Sequence, residues 1–297
     1  MTFTGLPVIL GTADLGSAVS PSVSVAILDA YASLGGRVLD TADCYAFWHP
    51  GATGGESESV IGEWLEQRDR QTFTVMTKIG SLPARTETGF GEVEGLAPEA
   101  VRRAAQNSRA RLKTTCLNVL LAHHDDPKTP LLDMWAAFTA LVSAGQVKKI
   151  GISNFHPHRI VELTEIIRKH SLAPIDVVQL KYSLIQPVTT AELRNLVLLD
   201  PEMMKTLKTH LPGATLMGYS PLLLGLFERD SAAAWPPEYD SPENRRTVTR
   251  IQGAAKARGI SASAHVLKSI VAQGVLPVTT TGKVERLRHI LSDYEKF

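Results

Sequence analysis

Strand-like and helix-like patterns alternate along the whole chain, and this alternation narrows the folds open to it more than any other feature. Short strand-like runs recur at 8–10, 37–40, 73–78, 117–122, 148–152, 176–180, 214–218 and 275–279. Stretches with helical spacing of apolar residues lie between and after them, at 23–34, 57–67, 99–112, 131–144, 157–169, 190–209, 243–258, 262–273 and 283–296. Strands that alternate with helices in this way predict a parallel sheet with crossover helices. Eight such units in 297 residues fit a closed (β/α)8 TIM barrel better than an open sheet, and barrels of this kind commonly fill about 250 residues as one unit. No change of composition marks a linker, so residues 1–297 are predicted to form a single α/β domain.

The main architectural rival is an open dinucleotide-binding sheet. It needs a Gly-x-Gly-x-x-Gly turn between an early strand and its helix, so that a pyrophosphate can approach the helix N-terminus. The glycine-rich stretch Gly51 to Gly55 has neither the spacing nor the place, and no phosphate loop ending in Gly-Lys-Ser/Thr occurs. Net charge is +1 without a block of Lys and Arg, which implies neither nucleic acid nor an anionic membrane as partner. Cys44 and Cys116 are too few for a disulfide framework or a structural zinc site. No signal-like N-terminus and no apolar run of about 18 residues is seen, so a cytoplasmic protein is expected, as a monomer or small homo-oligomer with no metal.

Four short signals give this frame a function. They are Asp40-Thr41-Ala42-Asp43-Cys44-Tyr45, Thr77-Lys78, His123, and Gly151-Ile152-Ser153-Asn154-Phe155. The first three fall where an apolar run ends, which on a parallel barrel brings Asp, Tyr, Lys and His to one mouth. Strand alternation puts Lys78 on one face with Thr74 and Met76, and Asp40 with Val38. It also puts His123 with Leu121 and Val119, and predicts that His124 points the other way. One such residue at a strand end is commonly a cap or a surface group; four in this order point to a site.

These segments resemble the aldo-keto reductases, a (β/α)8 barrel family of nicotinamide-dependent oxidoreductases. The similarity runs from Gly11-Thr12 to about Arg286. It is carried by Asp-Thr-Ala-x-x-Tyr at 40–45, Gly-Glu-Ser-Glu at 55–58, Thr77-Lys78 and Asn118 to His123. Ala144 to Phe155, Gln179-Leu-Lys-Tyr182-Ser and Tyr219-Ser220-Pro221-Leu222 extend it. The resemblance implies Asp40, Tyr45, Lys78 and His123 as the catalytic set, and the chemistry of the four agrees. Tyr45 can protonate a carbonyl oxygen as hydride arrives, but a free phenol has a pKa near ~10 and gives protons up reluctantly. Lys78 beside it is expected to bring that pKa down, with Asp40 fixing the ammonium. His123 can hydrogen-bond the substrate oxygen and orient the carbonyl.

The resemblance further implies that Ser153, Asn154 and Gln179 bind a nicotinamide carboxamide and that Tyr219 stacks on the ring. It places the adenosine phosphates of NADP(H) near 279–286, where Lys283 and Arg286 share a helix face and could clamp a 2′-phosphate. Ile290 departs from an asparagine usual in many members, which puts the adenine contact in doubt. Cys44 reads as a small buried residue. Long loops are expected at 46–56, 80–97 and 222–242, all after strands, with Trp48 as a substrate-binding residue. Only 11 residues follow Arg286, which implies a comparatively open mouth. The expected activity is interconversion of an aldehyde, ketone or sugar with its alcohol. The alternatives are a sugar C1 dehydrogenase running oxidatively and a non-catalytic, cofactor-sensing accessory subunit.

Overall fold

A computed structural model describes residues 5–84, 91–188, 196–230 and 234–296. Eight parallel strands close into a barrel in chain order. They are β1 (Ile9–Gly11), β2 (Val38–Asp40), β3 (Thr74–Ile79), β4 (Leu117–Ala122), β5 (Val147–Ser153), β6 (Val177–Lys181), β7 (Thr215–Tyr219) and β8 (Leu276–Thr279). Closure is made where Leu10 of β1 pairs with Thr279 of β8. The helices are α1 (Pro21–Ser33), α2 (Glu56–Glu66), α3 (Pro98–Arg111), α4 (Leu131–Ser143), α5 (Pro157–His170), α6 (Pro201–His210), α7 (Pro242–Ala257), α8 (Ala262–Val271) and α9 (Val284–Glu295).

Strand alternation separates two apolar layers. Ile9, Val38, Met76, Val119, Leu121, Val177, Met217 and Val278 form one buried cluster inside the barrel. Their neighbours in sequence, among them Leu10, Leu39, Val75, Leu120, Val178 and Ile152, face outward and pack with Ile27, Ile61, Phe138 and Leu267 from the helices. Strands buried on both faces tend to read as continuous apolar runs, as in Val119-Leu120-Leu121-Ala122 of β4. Five helices open on a proline, at 21, 98, 157, 201 and 242. There the fixed φ suits the first turn and the missing N–H has no partner to lose.

The helix expected over 190–209 is shorter. Residues 189–195 lie outside the described set, and Leu198 is extended, bridging Lys181. Helix α6 starts only at Pro201, where the Asp200 side chain accepts a hydrogen bond from Met203 N at 2.7 Å. An aspartate cap followed by proline overrode the apolar periodicity upstream. Two of the expected loops also carry structure. Glu92 O accepts from Ala84 N at 2.8 Å and Leu82 O from Glu94 N at 2.9 Å, tying together the two ends of the segment after β3. The segment after β7 contains 3-10 turns at Leu223–Glu228 and Pro237–Tyr239.

Gly151 shows why the fifth strand carries a glycine. A Cβ there would lie 2.2 Å from the Val177 carbonyl oxygen and 2.7 Å from Leu121 Cδ2. Without it β5 could not approach β6 in this register, in which Ser153 stands opposite Gln179.

Candidate active site

Lys78, next to last in β3, is buried, 1% exposed. Its Nζ donates to Asp40 Oδ2 at 2.9 Å, to the Thr41 carbonyl at 2.8 Å and to the Tyr45 hydroxyl at 3.0 Å. An ammonium has three N–H donors, and each has an acceptor here. Asp40 is held on its other side too, because its Oδ1 accepts from Gln179 Nε2 at 2.9 Å across the barrel. Burial alone would lower the Lys78 pKa, but the Asp40 charge and then Tyr45 more than offset it, and the net shift is upward. The balance of these effects favours the charged form of Lys78. Tyr45 departs from the sequence expectation. Burial pushes its hydroxyl up to about 12, and the Lys78 charge only limits the rise. The lysine acts in the expected direction, but desolvation of the phenol is the larger effect.

His123 follows the end of β4, its backbone N–H donating to the Ile79 carbonyl at 2.9 Å. Its ring centroid lies 5.8 Å from that of Tyr45, edge to face. Burial, then His124 and Lys78, hold its pKa well below the usual histidine range, so the imidazole is neutral. Nδ1 lies 3.5 Å from Cys44 Sγ. His124 does not point away as alternation predicts. It stacks on His123 with centroids 4.9 Å apart, and its Nδ1 meets Ser81 Oγ at 2.8 Å. The strand ends at Ala122, and the two-residue period ends with it.

Behind these groups lies an acidic layer that sequence reasoning left unassigned. Glu58 is fully buried, accepting from Thr77 Oγ1 at 2.5 Å and from Arg111 Nε at 2.6 Å. It fixes the residue before Lys78 from helices α2 and α3. Asp43 is buried beside them. Burial, then Glu94, push its pKa well above the usual carboxylate range. Glu58 belongs to the Gly-Glu-Ser-Glu signal; nothing marked Asp43 apart from its place beside Cys44-Tyr45.

The expected cofactor residues fall into two groups. Ser153 ends β5, Asn154 follows it and Gln179 lies within β6, all three buried, with Tyr219 half-buried at the end of β7. Asn154 sits in the left-handed region at φ 57, which asparagine tolerates well. Its Nδ2 donates to the His123 carbonyl at 3.1 Å and to Ser153 Oγ at 3.0 Å. Its Oδ1 accepts from Tyr219 OH at 2.7 Å and Val197 N at 3.2 Å. Asn154 is thus a hub that ties the ends of β4, β5 and β7 together. The second group is exposed. Lys283 stands at the N-terminal cap of α9, Arg286 in its first turn, and Lys283 lines a shallow cleft with Ser22, Val23 and Ala26 of α1. Ile290 is buried in the apolar core and offers no ligand contact. Trp48 is 41% exposed, with its ring against Tyr45 at 5.7 Å. No group of three or more His, Cys, Asp or Glu suited to a metal occurs among the described residues.

A sequence model of the Aldo/keto reductase family matches residues 7–296. The chain is 31% identical over 186 residues to a Bacillus subtilis protein called uncharacterized oxidoreductase YrpG, covering 62% of this chain and 56% of that one. It is 29% identical over 217 residues to aldo-keto reductase str7 of Strobilurus tenacellus, covering 72% and 57%. The matches thus span less than two thirds of either relative's length. Over 286 residues, 90% of this chain, it is 27% identical to aldo-keto reductase yakc of Schizosaccharomyces pombe, named for NADP(+), and covers 76% of that protein. Among solved structures, the thermostable aldo-keto reductase Tm1743 in complex with the inhibitor epalrestat matches with a TM-score of 0.72 at 24% identity, covering 98% of this chain and 90% of that one. That last likeness is one of fold.

Proposed function

The chain belongs to the aldo/keto reductase family, a family of oxidoreductases, and on that premise we propose that it is an NADP(H)-dependent reductase of aldehydes, ketones or sugars, with Tyr45 as proton donor. The observation that carries this reading is the placement of Lys78. Its ammonium donates to the Tyr45 oxygen at 3.0 Å, so the phenol's own O–H is left to point elsewhere. A carbonyl oxygen in the mouth can take that proton, and the phenolate that remains is stabilised by the adjacent ammonium. His123, kept neutral, donates its ring N–H to the same oxygen and orients it. NADP(H) when bound would supply the hydride; its nicotinamide would be held by Ser153 and Gln179 against the ring of Tyr219. The chemistry of these side chains fits an amide and a flat ring. Lys283 and Arg286 supply the positive charge that a 2′-phosphate requires, in keeping with the NADP(+) in the name of the fission-yeast relative.

With the Tyr45 hydroxyl pushed up by burial, the phenol that reduction needs is at hand at neutral pH, whereas oxidation of a sugar at C1 needs the phenolate. Turnover separates either enzyme from a cofactor-sensing accessory subunit. The test is a panel of aldehydes, ketones and aldoses assayed with NADPH and with NADP+, on the wild type and on Tyr45→Phe. Loss of about 10²–10⁴-fold in the variant, with cofactor affinity retained, is expected of a proton donor. Turnover within a few-fold of wild type sinks the assignment.

A further inference from the structure

We propose that Cys44 is a positioning residue, whose thiol donates a hydrogen bond to Nδ1 of His123 and so holds the imidazole as the tautomer protonated at Nε2. The proposal rests on the reading of this mouth as a carbonyl-reducing site, where that Nε2–H is the donor His123 offers to the substrate oxygen.

The geometry comes first. Cys44 Sγ lies 3.5 Å from His123 Nδ1, and both side chains are buried, at 1% and 9% exposure. The backbone holds each residue in place. Cys44 lies in a turn closed by Tyr45 N to the Ala42 carbonyl at 3.2 Å and by Phe47 N to its own carbonyl at 3.0 Å, while Asp43 N binds the Lys78 carbonyl at 3.0 Å. His123 is fixed by its N–H to Ile79 and by its carbonyl, which accepts from Asn154 Nδ2. What remains free is rotation of the ring and the choice of nitrogen that carries its proton. The His124 stack limits the first. Among the described residues, the contact to sulfur is what distinguishes the two nitrogens.

Chemistry gives that contact a direction. A neutral imidazole has one nitrogen that donates and one that accepts, whereas a thiol is a weak donor and a weak acceptor. Burial, reinforced by Asp43, pushes the Cys44 thiol pKa well up, so the S–H is retained. An S–H aimed at the unprotonated nitrogen uses the stronger acceptor. The opposite arrangement would leave a neutral sulfur as the acceptor of an imidazole N–H. Favouring the first places the proton on Nε2, on the far edge of the ring. Adjacent residues then have complementary tasks: Tyr45 presents a proton to the substrate oxygen, and Cys44 keeps the proton of His123 on Nε2. A thiol this buried and this firmly protonated is a poor nucleophile, so its part is played through the ring.

The deciding experiment is nitrogen NMR on the full-length wild-type protein labelled with 15N-histidine, with the His123 signal assigned by its loss in His123→Gln. The chain has nine histidines, so the spectrum is tractable. We expect an Nε2–H tautomer for His123, a shift toward mixed tautomers in Cys44→Ala, and restoration in Cys44→Ser, which keeps a donor. In carbonyl reduction Cys44→Ala should lose about 2- to 12-fold in kcat, the worth of one neutral hydrogen bond. Its NADPH affinity should stay constant and Cys44→Ser should recover the rate. A wild-type His123 protonated at Nδ1, or a tautomer that Cys44→Ala leaves unchanged, overturns the proposal. Equal behaviour of the alanine and serine variants overturns it as well. Should the protein reduce no carbonyl at all, the proposed activity fails while the spectrum still decides the role of Cys44.

Discussion

The mouth of the barrel holds two kinds of cation, and they are built in opposite ways. Lys78 is buried, has all three of its donors engaged, and faces a carboxylate that Gln179 fixes from behind. Lys283 and Arg286 stand exposed at the start of α9, and neither is in an ion pair among the described residues. A group that must stabilise charge as it develops gains from being immobile and shielded, because no reorganisation is then needed at the moment of reaction. A group that grips the phosphate of a dissociable cofactor gains from being reachable by solvent. The buried cation is therefore the place for large effects, and the exposed pair is the place for graded ones.

The sharpest way to break that contrast is Lys78→Met. The methionine fills much the same space but leaves the Asp40 carboxylate buried without its counter-ion. Removing one partner of a buried pair costs about 3–5 kcal/mol, which urea denaturation reads directly. Reduction should fall about 10²–10⁴-fold. A variant as stable as wild type would mean that water reaches Asp40 and that the site is softer than its geometry indicates.

The next effect is one of pH. With the Tyr45 hydroxyl pushed up to about 12, the phenol prevails across the neutral and mildly alkaline range, and the phenolate fraction rises about tenfold per pH unit below that value. Oxidation of an alcohol with NADP+ needs the phenolate, so its rate should climb with a slope near one from about pH 7 to 10. Carbonyl reduction needs the phenol and should stay flat over the same range. An oxidation rate that levels off by pH 8 would mean that Lys78 outweighs burial after all, as the sequence alone leads one to expect.

That disagreement shows where sequence stopped being legible. That Asp40, Tyr45, Lys78 and His123 meet at one mouth could be read because strand ends are local properties of the chain. The barrel could be read for the same reason, since apolar runs and proline-led helices repeat along it. The balance of desolvation against charge at Tyr45 depends on how much protein surrounds the ring, which no local pattern encodes. The same holds for Cys44, which meets His123 from 79 positions away, and for Glu58, bonded to Arg111 across 53. Helix α6 failed differently. Its apolar spacing extended upstream, but the Asp200-Pro201 start signal was local and legible, and the periodicity was given too much weight.

On the exposed side, Arg286→Ala should weaken NADPH about tenfold, the lower end of what a charged hydrogen bond contributes, and leave NADH nearly unchanged. Titration of the protein's tryptophan fluorescence with each cofactor measures both. Raising the salt concentration should shrink the wild-type preference for NADPH, because exposed charges are screened within about 10 Å at 0.1 M. Equal affinity of the wild type for the two cofactors would remove the reason to assign Lys283 and Arg286 to a phosphate at all.

The smallest expected effect concerns Trp48, which stands between the two regimes. Its ring packs edge to face on Tyr45 at 5.7 Å and on Phe47 at 5.5 Å, yet the residue is 41% exposed. A side chain with one face on Tyr45 and the rest open to solvent can form a wall for a substrate without holding Asp40, Tyr45 and Lys78 in place. Those groups have their own anchors in Asp40, Thr41 and Lys78. Trp48→Ala should therefore change the order of aldehydes and ketones in kcat/KM by a few-fold, weakening aromatic and bulky apolar substrates most; an aromatic pair is worth about 0.5–1.5 kcal/mol beyond its burial. NADPH affinity and the pH dependence of oxidation should stay where the wild type has them. A uniform loss across all substrates, with a displaced pH profile, would instead place Trp48 among the residues that set the environment of the Tyr45 hydroxyl, and would extend the rigid half of the mouth out to the loop.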